Sequence, residues 1–211
     1  MPTIRALFPS ILAMCVAVAA SNYLVQFPFQ HWGLQDVLTW GAFTYPVAFL
    51  TNDLTNRRYG PAAARKVVYA GFAMAVIVSI WLATPRIAIA SGSAFLVAQL
   101  MDISVFDRLR RQTWWRAPFA AAIAGSILDT AVFFSMAFAA RFAWIDQMTG
   151  MPDSSLTDPV ALFGQTVPLW TSLAFGDLMV KFVLGALMLI PYGAILAVFA
   201  PAIYSPSRNS R

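Results

Sequence analysis

The chain is divided into six apolar stretches of roughly bilayer length, and this segmentation restricts its fold more than any other feature. The apolar windows lie near 6–27, 39–57, 64–84, 87–108, 117–140 and 171–200. A helix needs about 20 apolar residues to cross the hydrocarbon core. Lipid offers no hydrogen bonds, so spanning backbone must satisfy itself within a helix or a closed barrel. Continuous apolar runs of this length predict helices.

Composition points the same way. Of the 211 residues, 60% are hydrophobic and 11% charged, against about 25% charged in an average soluble domain. The expectation is an all-α integral membrane protein with six transmembrane helices, forming a single domain over 1–211. Arg5 followed by ALFPSILAMCVAVAAS is similar to a signal peptide. The run continues to Phe27, long enough to cross, and is read as an uncleaved first helix. Pro46 and Pro191 predict kinks in the second and sixth spans, because proline removes a backbone donor and clashes with the preceding turn.

The net charge of +5 reads as a topology signal. The basic residues occupy short connections instead of one solvated face, so nucleic acid is not an expected partner. Arg5, Arg57, Arg58, Arg65, Lys66, Arg108, Arg110, Arg111, Arg116, Arg208 and Arg211 fall on one side, and Arg86 and Arg141 on the other. This asymmetry predicts cytoplasmic termini. The segment around His31, Trp32 and Trp40 suits the aromatic belt at a membrane interface. The longest connection, 141–167, carries Asp146, Asp153 and Asp158 with Gly150, Pro152 and Pro159.

Cys15 and His31 are the sole cysteine and histidine. An intramolecular disulfide and a cysteine metal cluster are therefore excluded, and no metal or cofactor is implied. The chain contains no glutamate, no His-Glu zinc motif and no GxSxG elbow, which argues against an intramembrane enzyme. It also lacks a Walker-type GxxxxGKS or GxxxxGKT sequence, so any ATPase engine belongs to another chain.

Polar residues inside the apolar windows carry the functional reading, since ionisable groups at membrane depth usually face a cavity or a partner. In FLTNDLTNRRYG (49–60), Asn52, Asp53 and Asn56 sit within the second span. On the fourth, Gln99, Asp102 and Phe106 are spaced three then four and share one helical face. Ser126, Asp129 and Phe133 repeat that spacing on the fifth, with Thr130 beside the acid. LMDISVF (100–106) and ILDTAVF (127–133) echo one another, as internal repeats do in many transporters. Lys181 requires an anion, either Asp177 four residues earlier or an acid on a neighbouring helix. One lysine cannot neutralise Asp53, Asp102 and Asp129 together, so some of these acids are expected to be protonated, hydrated or aimed at a ligand, and proton coupling is a candidate mechanism.

FLTNDLTNRRYG, AARKVVYAGF, SGSAFLVAQLMDISVFDRLRRQTWW, GSILDTAVFFSMAF and KFVLGALMLIPYG occur in order. Together they resemble the bacterial queuosine precursor transporter family over about 45–195. Asn52, Arg57 and Ile190 depart from the family's usual threonine, glutamate and threonine. The resemblance implies a six-helix inner-membrane carrier importing 7-deazaguanine bases, such as 7-cyano-7-deazaguanine, 7-aminomethyl-7-deazaguanine or queuine, for tRNA modification. The expected substrate site comprises Asn52, Asp53, Asn56, Gln99, Asp102, Phe106, Ser126, Asp129, Thr130, Phe133 and Lys181. Carboxylates there would accept the donors of a guanine-like edge, and amides would read its carbonyl and ring nitrogens. Membrane lipids and the small-molecule substrate are the expected partners, with a homodimer left open. The alternative is a substrate-binding membrane component that requires a separate ATPase.

Overall fold

The computed structural model describes residues 3–35, 38–150 and 157–199. Its principal helices are α1 (Ile4–Leu24), α2 (Gly41–Tyr59), α3 (Pro61–Leu82), α4 (Pro85–Leu109), α5 (Arg116–Phe138), a short α6 (Trp144–Thr149), α7 (Leu169–Leu187) and α8 (Leu189–Phe199). The protein is a helical, multi-pass membrane protein. Arg208, Arg211, Pro152 and Asp153, which entered the charge and loop expectations, lie outside the described residues.

Local chemistry sets the helix ends. Gly60 stands between α2 and α3 with φ +85°, a conformation that glycine adopts without penalty, and its N–H donates to the Asn56 carbonyl at 2.9 Å. Pro61 and Pro85 open α3 and α4, where the missing N–H leaves no helical bond unmade.

Five segments among the described residues are long and apolar enough to span a membrane: α1, α3, α4, α5 and the continuous stretch Leu169–Val198. The 19-residue α2 is not among them, because Asn52, Asp53, Asn56, Arg57 and Arg58 lower its hydropathy. Its polar groups turn inward: Asn52, Asp53, Thr55 and Asn56 are buried, and the helix packs against α1, α3, α4 and α7. α2 runs unbroken through Pro46. The last apolar window does break, at Met188 between α7 and α8, three residues before Pro191.

Met14, Val18, Val67, Val68, Phe95 and Ile103 form the main apolar core between α1, α3 and α4. Small residues let the backbones approach, as is usual between membrane helices. A Cβ on Gly71 would lie 2.6 Å from Cγ of Met14, and one on Gly125 would lie 2.6 Å from Cε1 of Phe49.

The 141–167 connection contains more structure than its composition predicts. After α6, strands β1 (Pro159–Leu162) and β2 (Gln165–Pro168) pair antiparallel around Phe163 and Gly164. Both turn residues have positive φ, 49° and 79°, which suits a tight two-residue hairpin. Arg86 and Asp146 are buried at this end. The Arg86 guanidinium donates to Asp146 Oδ2 at 2.6 Å and to the Met136 and Ala139 carbonyls at 2.9 and 2.7 Å. Arg86 thus ties the start of α4 to the end of α5 and to α6, beyond its expected part in the charge asymmetry.

Candidate functional site

The expected site residues separate into two groups, linked by Lys181. The first lies on α2, α5 and α7. Nζ of Lys181 is 2.6 Å from Asp129 Oδ2 and 2.5 Å from Asp177 Oδ2. The Tyr45 hydroxyl donates to the other Asp129 oxygen at 2.7 Å, and Thr130 donates to Asp177 at 2.8 Å. Lys181 also lies 5.1 Å from the centre of the Tyr45 ring. Both acids that can neutralise this lysine therefore do so together, and the cluster holds one more acid than base.

The cluster faces a cavity of about 420 Å³, within the range of about 300–1,000 Å³ typical of small-molecule sites. Phe133, Phe134, Phe138, Phe95 and Tyr45 give it aromatic walls; Ser21, Asn22, Gln26 and Ser91 add polar groups on the α1 and α4 sides. The cavity lies toward the membrane end carrying the α1–α2, α3–α4 and α5–α7 connections.

The second group forms a buried layer between α2 and α4. Asn52 donates to Asp102 Oδ2 at 2.8 Å and to the Gln99 carbonyl at 3.3 Å, while Asn56 donates to the Ile103 carbonyl at 3.2 Å. Asp53 and Asp102 place their carboxyls within hydrogen-bonding reach of each other. Asn52, Asn56, Gln99 and Asp102 line neither the large cavity nor a smaller one of about 20 Å³ that reaches Asp53, Ser126 and Lys181. Lys181 is the described residue that lines both cavities.

The helices echoed in sequence use their acids and rings differently. Asp102 meets Asn52, and Phe106 is fully buried; Asp129 meets Lys181 and Tyr45, and Phe133 borders the large cavity.

Past Phe106 the bundle closes. The Arg57 guanidinium carbon sits 5.1 Å from the Phe106 ring centre. Arg57 donates to the Tyr192 hydroxyl at 2.8 Å and to the carbonyls of Arg110 and Trp114 at 2.7 and 3.2 Å. Trp114 stacks on Tyr192 with ring centres 6.5 Å apart. A side chain expected to mark only the loop side is therefore part of the closure.

Tyr45, Asn22 and Tyr192 are functional candidates that the expected site omits. Tyr45 had a readable signal: it precedes Asn52 and Asp53 by seven and eight residues, which returns it to the same helical face. Asn22 and Ser21 are a polar pair near the end of an otherwise apolar first span. For Tyr192 the signal was its place, with Lys181 and Pro191, in the last-helix motif that carries the family resemblance.

The chain is thus an apolar helical membrane bundle with a large cavity floored by the Asp129–Lys181–Asp177 cluster. The chain matches the family described as "Putative vitamin uptake transporter" over residues 39–84 and 79–195, and it belongs to that family. It is 34% identical to the "Probable queuosine precursor transporter" of Haemophilus influenzae, over 86% of this chain and 82% of the relative. It is 32% identical to the "Queuosine precursor transporter" of Escherichia coli, over 91% of this chain and 87% of the relative. No solved structure matches.

Proposed function

We propose that this protein is a secondary transporter that carries queuosine precursors, 7-deazaguanine bases, across the bacterial inner membrane, and that the large cavity receives the base. The arrangement of Asp129, Asp177, Lys181 and Phe133 around that cavity is the observation that carries the reading. The names of the two relatives supply its substrate class.

The chemistry is complementary. A guanine-like edge presents an adjacent ring N–H and exocyclic amine, which a carboxylate accepts as a pair. Asp177 presents a partly exposed side chain to the cavity, with Thr130 and Lys181 both donating to its Oδ2. Phe133 offers a face for the flat ring, and the amides of Asn22 and Gln26 suit its carbonyl and ring nitrogens. Base stacking on aromatics is worth about 1–3 kcal/mol in nucleic-acid systems.

In this proposal the Arg57–Tyr192–Trp114 closure faces the cytoplasm and the cavity faces outward, a reading that the lysine and arginine asymmetry supports. On this reading the conformation is outward-facing. α2, whose polar face is buried, completes six membrane crossings.

The test is uptake of 7-cyano-7-deazaguanine by purified protein in liposomes without any ATPase. Saturable uptake that unlabelled 7-aminomethyl-7-deazaguanine competes away is expected. Binding without uptake until an ATPase is added would refute autonomous transport.

A further inference from the structure

We propose that the layer between α2 and α4 is a separate binding site for a small monovalent cation, H+ or Na+, which travels with the substrate. This inference rests on the transporter reading and gives the buried acids Asp53 and Asp102 a role other than holding the base.

The layer is short of positive charge. Asn52, Gln99 and Asp102 are 0% exposed and Asp53 is 3% exposed. The salt bridges among the described residues pair Arg86 with Asp146, Arg110 with Asp107, and Lys181 with Asp129 and Asp177. None reaches Asp53 or Asp102. Asn52 Oδ1, Asp53 Oδ1, Asn56 Oδ1, Gln99 Oε1 and Asp102 Oδ1 are all buried without a hydrogen-bond donor; Gln99 Nε2 is the one unpaired donor beside them. Both amide N–H groups of Asn52 and one of Asn56 are already committed, so oxygens predominate among the groups left for a ligand.

Orphaned buried acceptors are uncommon in folded proteins and call for a partner. A neutral partner such as water would satisfy lone pairs while leaving the acids uncompensated. A cation answers both deficits, either as a proton between the adjacent carboxyls or as a sodium ion among carboxylate and amide oxygens. Two carboxyls suit a single charge, and no group of three or more Asp, Glu, His or Cys residues able to hold a metal ion occurs among the described residues.

The surrounding charged groups leave this role open. On α2 itself, Arg57 lies one turn beyond Asp53 and its charge acts on that carboxyl, but its hydrogen bonds go to Tyr192 and the Arg110 and Trp114 carbonyls. On α4, Asp107 is paired with Arg110 at the bundle end. The core residues contributed by α1 and α3 are apolar. From α7, Lys181 lines the small cavity together with Asp53, with Ser126 of α5 and Tyr192 of α8 along the same wall. Lys181 is held by Asp129 and Asp177 at the floor of the large cavity, so a base that draws on Asp177 frees part of that hold. The ammonium then competes with the cation for Asp53. The small cavity that Lys181 and Asp53 share is the coupling route.

The experiment uses purified protein in liposomes, labelled 7-cyano-7-deazaguanine, and either an inward proton gradient at equal Na+ or an inward Na+ gradient at equal pH. For one ion per substrate, a tenfold gradient of the coupled ion raises steady-state accumulation by up to about tenfold. A response to protons identifies H+, and a response to sodium identifies Na+. Asp102→Asn is expected to abolish the response to the gradient. Wild-type uptake indifferent to both gradients, or Asp102→Asn uptake still driven by one, overturns the proposal. A readout without base keeps the two readings apart: the thermal midpoint of purified protein, with Na+ replacing choline and with pH varied, in wild type and Asp102→Asn. Ion dependence present only in the wild type supports the cation site even if no deazaguanine binds; identical behaviour of the two proteins overturns it.

Discussion

The Lys181 ammonium reaches across the α5–α7 interface to lie 2.6 Å from Asp129 Oδ2, with only 7% of its side chain exposed. That pair joins two helices, and Asp177, one turn away on α7, completes it. Removing the lysine leaves two acids facing each other in a poorly solvated site. Breaking a buried pair from one side costs about 3–5 kcal/mol. Lys181→Met is expected to lower the thermal midpoint of the purified protein sharply. Lys181→Met combined with Asp129→Asn should recover much of the loss, because the double variant removes one of the stranded charges. A double variant no more stable than Lys181→Met would show that the charge pairing contributes little.

Arg57 closes the opposite end through three acceptors supplied by α8 and the α4–α5 connection. Hydrogen bonds to a charged group contribute about 1.5–3 kcal/mol each when a partner is removed. Arg57→Ala should therefore loosen this end. In a Cys15→Ser background, a cysteine replacing Ser126 on the small cavity wall is expected to react several-fold faster with a membrane-impermeant thiol reagent applied from that end once Arg57 is alanine. Unchanged labelling would mean that Trp114 and Tyr192 hold the closure without it.

The helices were legible because an apolar run of bilayer length has few other solutions, and the facing residues of α2 and α4 were legible because spacings of three and four put them on single faces. Partner choice was less accessible. Asp177 follows from its place four residues before Lys181, but Asp129 is 52 positions away. Nothing in helical spacing says which of three membrane acids packs against α7. Arg57 lies among loop-side arginines, and its inward turn depends on Tyr192, 135 positions later. The β-hairpin was hidden because turn-forming residues dominate its connection and its strands have four residues each. The division of the polar residues between a cavity and a sealed layer depends on how α2 leans on α4 and α5, which local pattern does not encode.

The Arg86–Asp146 pair fixes α6 against the ends of α4 and α5. Arg86→Ala strands a buried carboxylate and releases the Met136 and Ala139 carbonyls, whereas Asp146→Asn retains an acceptor for the guanidinium. The first change is expected to destabilise by about 3–5 kcal/mol, and the second by less. Limited trypsin cleavage after the exposed Arg141 provides the measurement: cutting should accelerate strongly in Arg86→Ala and modestly in Asp146→Asn. Equal rates in all three proteins would show that the segment is held by other contacts.

Phe133 separates base recognition from bundle stability, because its ring borders the large cavity while also touching Phe134 and Phe138 edge-on, with centres 5.1 and 6.2 Å away. A ring that stacks on the base contributes about 1–3 kcal/mol to binding. Phe133→Ala should thus raise the dissociation constant for 7-cyano-7-deazaguanine by about 5- to 150-fold, and Phe133→Tyr, which retains the face, should raise it far less. Calorimetric titration of purified protein measures both, and the thermal midpoint monitors the loss of packing. If Phe133→Ala binds the base as tightly as the wild type does, the ring does not stack on it, and the base must lie against another wall of the cavity.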